Sequence, residues 1–127
     1  MIEQAKRRLN GRAQLAVGDA EHLPYADSMF DVIICNASFH HYTNPEAAVS
    51  EMRRVLRPGG SIILGDPTLP GKLFVDLFNA SLKYSNSGDA KIWHKKEIIP
   101  FFESYGFRVL NWKRIKFRTF IFQAYLE

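Results

Sequence analysis

Phe30-Asp31-Val32-Ile33-Ile34-Cys35-Asn36 is the stretch whose reading decides the fold. It is a near-continuous apolar run rich in β-branched residues, the pattern of a parallel strand covered on both faces. After it, Pro45 suits the first turn of a helix. Ala48, Val49, Met52, Val55 and Leu56 then mark an apolar face, and Glu46, Glu51, Arg53 and Arg54 a wet one. Pro58-Gly59-Gly60 ends that helix, and Ser61-Ile62-Ile63-Leu64-Gly65-Asp66 reads as a second buried strand. Before it, Ile2, Ala5 and Leu9 fall at helical spacing, Asn10-Gly11 stops the run, and Ala13 to Gly18 reads as a further strand.

Beyond Asp66 the chain passes through a loop, Asp66-Pro67 to Pro70-Gly71. Leu73, Phe74, Leu77, Phe78 and Leu82 form a strongly apolar helix face, expected to be core or the floor of an acceptor pocket. Asn86-Ser87-Gly88-Asp89 breaks that helix. Ile98, Ile99, Phe102 and Tyr105 define another, closed by Gly106, and Phe107 to Leu126 is expected to form a hairpin. Strands and helices in alternation predict an α/β domain built on a parallel sheet with helices on both faces. Right-handed crossovers put the functional edge at the C-terminal ends of the strands. Asp19-Ala20, Asn36 to Tyr42 and Asp66 to Thr68 then face any ligand.

A chain of 127 residues has room for one domain, and 46% hydrophobic with 24% charged residues is an ordinary globular balance. No 18 apolar residues run together, so neither a membrane span nor a membrane partner is expected. The N-terminus lacks an apolar signal core, and the single Cys35 allows no internal disulfide; both point to the cytoplasm. A net charge of +4 is modest, and no nucleic-acid partner is expected. The basic tail (Arg108, Lys113, Arg114, Lys116 and Arg118 among aromatics) reads instead as the wet face of the hairpin.

Gly18-Asp19-Ala20-Glu21-His22-Leu23-Pro24-Tyr25 closely resembles the third-strand motif of small-molecule class I S-adenosylmethionine-dependent methyltransferases of the type 11 kind. Ser28 to Ile33 with His40-His41 following, and Arg53-Arg54-Val55-Leu56-Arg57-Pro58-Gly59-Gly60, resemble two further motifs of that family, in order and correctly spaced. The resemblance implies a truncated Rossmann-like methyltransferase sheet, mostly parallel, with a C-terminal antiparallel hairpin and helices on both faces. It implies S-adenosylmethionine as cofactor and a small-molecule methyl acceptor. Asp19 and the Ala20 amide would hold the adenine, since a carboxylate can accept from its amine and an amide can donate to a ring nitrogen. Leu23 would pack beside the adenine, and Asn36 would stand at the methionine end. His40 and His41 would lie where cofactor and acceptor meet, either being a candidate base.

The family's acidic-x-Gly-x-Gly-x-Gly loop has no counterpart, because no Gly-x-Gly occurs in the sequence. Residues 1–127 are therefore expected to be one partial domain, its C-terminal part, with the first two strands absent. An acid making two charge-assisted hydrogen bonds contributes about 3–6 kcal/mol, so the chain alone is not expected to bind the cofactor strongly. The absent strands would leave a gap of about 14 Å. The chain is expected to close it by pairing Ala13–Gly18 directly with Phe30–Asn36, or by pairing with a second copy as a homodimer. The alternative to an enzyme is an inactive methyltransferase-like remnant serving as a binding or dimerisation module. No metal site is expected, because adjacent histidines in regular structure point apart. Cys35 is expected to be a buried hydrophobe, and His94 to stand at a helix start.

Overall fold

A computed structural model describes residues 1–84 and 88–127. Helix α1 spans Ile2–Leu9, strand β1 Phe30–Asn36, helix α2 Pro45–Val55 and strand β2 Leu56–Pro67. Helix α3 spans Lys72–Leu82, helix α4 Lys95–Ser104, strand β3 Phe107–Ile115 and strand β4 Thr119–Leu126. They form an α/β fold whose four-stranded sheet runs β1-β2-β4-β3. β1 lies parallel to β2, β4 antiparallel to β2, and β3 with β4 is the expected hairpin.

The apolar periodicity of α2 and α4 has its physical outcome in one shared core. Val49 and Met52 from α2 and Ile98 and Phe102 from α4 pack on Cys35, Ile62, Leu64, Phe122 and Ala124 of the sheet. Both helices begin at real caps. The Asn44 side chain accepts from the Ala47 amide at 3.1 Å, with Pro45 in the first turn. The His94 ring accepts from the Lys96 amide at 3.2 Å, while the Glu97 carboxylate accepts from the His94 amide at 3.3 Å. His94 thus stands at a helix start, as expected. Gly60 is held to its identity by backbone: an added Cβ would lie 2.8 Å from the Arg57 carbonyl and 3.0 Å from that of Asp31.

Four expectations change. Leu56, read on the apolar face of α2, and Pro58-Gly59-Gly60, read as its stop, belong to β2, because α2 already ends at Val55. Ala13–Gly18 forms no strand; beside it there is only an isolated bridge between Asp19 and His22. A strand needs a ladder partner for its backbone groups, and neither β1 nor any other described residue supplies one. Direct pairing with β1 is therefore not how the chain is arranged. β1 is covered at Ile33 and Cys35, whereas Val32 and Ile34 on its other face are 49% and 73% exposed. The apolar stripe of α3 is not core either: Leu73, Phe74, Leu77 and Phe78 are exposed, and only Leu82 of that set is buried.

The side of α3 that turns inward carries Val75, Asn79 and Leu82. The Asn79 amide donates to the Ile92 carbonyl and accepts from the Ile92 amide, both at 2.8 Å. One side chain thus satisfies both backbone groups of an extended residue, and that pairing selects the buried side over the greasier one. The break expected at Asn86-Ser87 lies outside the described residues. Phe102→Ala should cost about 3–5 kcal/mol in urea unfolding, whereas Leu77→Ala should change stability by no more than about 0.5 kcal/mol. Equal losses would contradict the exposed placement of α3.

Candidate functional site

At the C-terminal edge of the parallel pair, Asn36 stands beside Gly65. A Cβ on Gly65 would lie 3.3 Å from the Asn36 side-chain oxygen, so the glycine makes room for that side chain. Ala37 then takes a left-handed conformation, φ 50°, and its amide donates to the Gly65 carbonyl at 2.7 Å. This turns the chain into a single 3-10 turn, Phe39–His41. Phe39 is buried against Trp93 and Phe102 and anchors it.

The turn aims both histidines the same way, their ring centroids 3.9 Å apart. His40 Nδ1 lies 2.9 Å from Oδ1 of Asp66, an acid buried at the end of β2. An ionised carboxylate only accepts, so Nδ1 donates to it. Burial pushes the Asp66 carboxyl above its usual range, with the His40 hydrogen bond opposing the rise. The other oxygen, Oδ2, is buried and has no hydrogen-bond partner among the described residues. Asp89 Oδ1 is 3.5 Å from His40 Nε2 and 3.2 Å from His41 Nδ1, and the Gly88 carbonyl accepts from His41 Nδ1 at 3.0 Å. The argument that adjacent histidines must point apart is corrected by this geometry, because a tight 3-10 turn is not regular helix or strand. Among the described residues, His40, His41 and Asp89 place metal-ligand atoms within 4.8 Å of one another and could hold an ion.

A cavity of about 270 Å³ opens beside β1, lined by Ala20, Leu23, Phe30, Cys35, Ser38 and Tyr42 among others. Two of the residues expected at the adenine, Ala20 and Leu23, therefore share a wall with the end of β1. Asp19 lies outside that lining, and its Oδ1 accepts from the Glu21 amide at 2.9 Å, closing a turn. Cys35 is buried, 3.2 Å from the Ser38 hydroxyl, and desolvation pushes its thiol up. Burial also pushes the Tyr42 hydroxyl up to about 12, so it stays protonated. An open cleft of about 720 Å³ at the opposite end, among Ser28, Arg54, Pro58 and Tyr105, lies where the parallel strands begin and holds none of these groups.

The sequence reading missed what holds the Asp19 to Asp27 segment. Arg54 donates to the carbonyls of Leu23 at 3.0 Å and Tyr25 at 2.8 Å, and to the Asp27 carboxylate at 2.8 Å. Glu51 accepts from the Leu23 amide at 2.8 Å and binds Arg54 at 2.7 Å. The pair was read only as the wet face of α2, and the signal available was an acid and a base three residues apart. The Arg54 hydrogen bonds hold the Glu51 carboxyl down at about 2. A depressed carboxylate contributes stability that is present above its unfolded value, near 4.5, and lost as pH falls toward about 2. Glu51→Gln should flatten that acid-side loss and speed proteolytic cleavage between Leu23 and Asp27 several-fold at neutral pH. Unchanged cleavage would mean the clamp does not order the segment.

The family profile described as a methyltransferase domain matches residues 1–64. The ubiquinone/menaquinone biosynthesis C-methyltransferase of Cupriavidus metallidurans is 31% identical over 98 residues, covering 77% of this chain and 30% of that protein. The YcgJ protein of Bacillus subtilis superposes with a TM-score of 0.80 at 15% identity, over 98% of this chain and 75% of that one. A SAM-dependent methyltransferase from Aquifex aeolicus gives 0.75 at 16% identity, over 98% and 61%. The structural likenesses show the fold, and the chain spans less than a third of the length of the first curated relatives it matches. On the sequence match and the fold together, the chain belongs to the class I S-adenosylmethionine-dependent methyltransferases.

Proposed function

We propose that this chain takes part in methyl transfer from S-adenosylmethionine to a small-molecule acceptor carrying an ionisable proton. The observation that carries the reading is the cavity along β1, walled by Ala20 and Leu23 and reaching Cys35 and Ser38, the chain neighbours of Asn36 and of the turn that holds the His40–Asp66 pair. The residues present fit the adenosine end of the cofactor. The cavity's apolar wall suits a flat heterocycle, and at about 270 Å³ it falls just under the range of about 300–1,000 Å³ that takes a whole cofactor. Ala20 and Leu23 would hold the base, with Asp19 at its exocyclic amine and Asn36 toward the methionine end. When bound, the cofactor supplies an electrophilic methyl group on a sulfonium.

In this reading the protein's part is placement and proton handling. Asp66 holds the His40 ring through Nδ1, and Nε2 would be the atom that takes the acceptor's proton. Asp89, 3.5 Å from that nitrogen, meets the proton once it arrives. Much of the acceleration in such a displacement comes from holding the acceptor in near-attack geometry, so a single base is sufficient chemistry. The open edge of β1, where Ile34 is exposed, supports pairing of the chain with a second copy there, which would border the cavity that Ile34 also lines. A parallel or antiparallel strand across that edge would satisfy its free backbone groups.

Titration with S-adenosylhomocysteine, followed by amide NMR shifts, should move Ala20, Leu23 and Asn36. Asp19→Ala should weaken binding by about tenfold or more, the value of one charge-assisted hydrogen bond. Unmoved amides, or an affinity indifferent to Asp19, would sink the assignment. His40→Ala should lower the transfer rate by on the order of a hundredfold while leaving the cofactor shifts in place. Sedimentation as a monomer at all concentrations would remove the second copy.

A further inference from the structure

Helix α3 and the β3–β4 turn present one continuous apolar face that the methyl-transfer reading does not use. Leu73, Phe74 and Leu77 are 68%, 62% and 60% exposed, and Phe117 at the hairpin turn is 68% exposed. Phe74, Leu77, Phe78, Phe117 and Arg118 line a single open groove of about 550 Å³. The Thr68 amide donates to the Arg118 carbonyl at 2.8 Å, which holds the turn beside the loop leading into α3. The hairpin segment from Asn111 to Arg118 carries Lys113, Arg114, Lys116 and Arg118, all exposed, and no acid. On α3, Asp76 is already paired to Lys72 at 2.8 Å.

We propose that this face docks on an anionic lipid bilayer, with Phe74, Leu77 and Phe117 entering the acyl boundary and the hairpin cations meeting lipid phosphates. Apolar side chains standing proud beside Arg118, with Lys116 on the same turn, are the footprint of interfacial binding. Such binding needs no span, and no helix among the described residues is long and apolar enough to cross a membrane. Three other occupants fit less well. Nucleic acid would use the cations but has no stacking use for exposed leucines. A lone amphiphile would be gripped on several sides, whereas this groove is open. A second copy across a twofold axis would set the hairpin cations against themselves.

The test is flotation with phosphatidylcholine vesicles against vesicles of equimolar phosphatidylcholine and phosphatidylglycerol. Binding should require the anionic lipid and weaken with salt. The double variant Lys116→Gln/Arg118→Gln should bind more than tenfold more weakly, since each cation near such a surface contributes about fivefold. Phe74→Ser/Phe117→Ser should also release the protein from vesicles, with its circular dichroism unchanged because both side chains are exposed. Arg7→Gln/Arg8→Gln in α1 removes the same charge elsewhere and should leave binding intact. Equal loss in that control, indifference to the phenylalanine variant, or no flotation on anionic vesicles would each overturn the proposal. So would nucleic-acid binding that the phenylalanine variant leaves untouched, or self-association that the same variant abolishes.

Discussion

The parallel register of β1 on β2, with Cys35 opposite Leu64 and Asn36 opposite Gly65, determines where the chemistry-bearing side chains stand. It brings the ends of two strands level, so the chain leaving β1 must turn sharply over the chain leaving β2. Gly65 allows the close approach, and Ala37 absorbs the turn in a left-handed conformation. The 3-10 turn that follows sets His40 over Asp66. A slip of one residue would exchange the two faces of β1, carrying Cys35 out of the core and Asn36 away from Gly65.

The segment resembling the adenine-binding motif is held differently. Among the described residues it joins no strand ladder, and two side chains of α2 reach across to its backbone. Arg54 presents a planar fork to two carbonyls and a carboxylate, and Glu51 takes the one amide that faces it. The core is correspondingly one-sided. α2 and α4 bury Ile62, Leu64, Phe120 and Phe122, while Val32 and Ile34 on the opposite face of β1 stay open. Among the apolar residues left at the surface are Val32 and Ile34 of β1, Leu73, Phe74, Leu77 and Phe78 of α3, and Phe117 at the hairpin turn.

Legibility followed the range of the interaction. Strand and helix positions in β1, α2, α4 and the hairpin were readable because each follows from a local period of apolar residues. Ala13–Gly18 has the composition of a strand yet forms none, because strand formation depends on a partner that composition does not specify. In α3 the more hydrophobic stripe was read as core or as the floor of an acceptor pocket. The choice of side instead rests on Asn79 and its two hydrogen bonds to Ile92, thirteen residues away. His40 and His41 were singled out from a motif, whereas their carboxylate partners were not.

What the sequence determined by itself is the class of fold, the family and the loops that follow the C-terminal ends of the parallel strands, since all three are carried by short ordered motifs and local periodicity. Only the tertiary structure decided that His40 is oriented by Asp66 and faced by Asp89, that Arg54 and Glu51 clamp the Leu23 segment, and that α3 turns its greasiest side outward. The reason is physical. Those are contacts between residues distant in the chain, and their formation depends on packing and hydrogen-bond satisfaction across elements that no local pattern encodes.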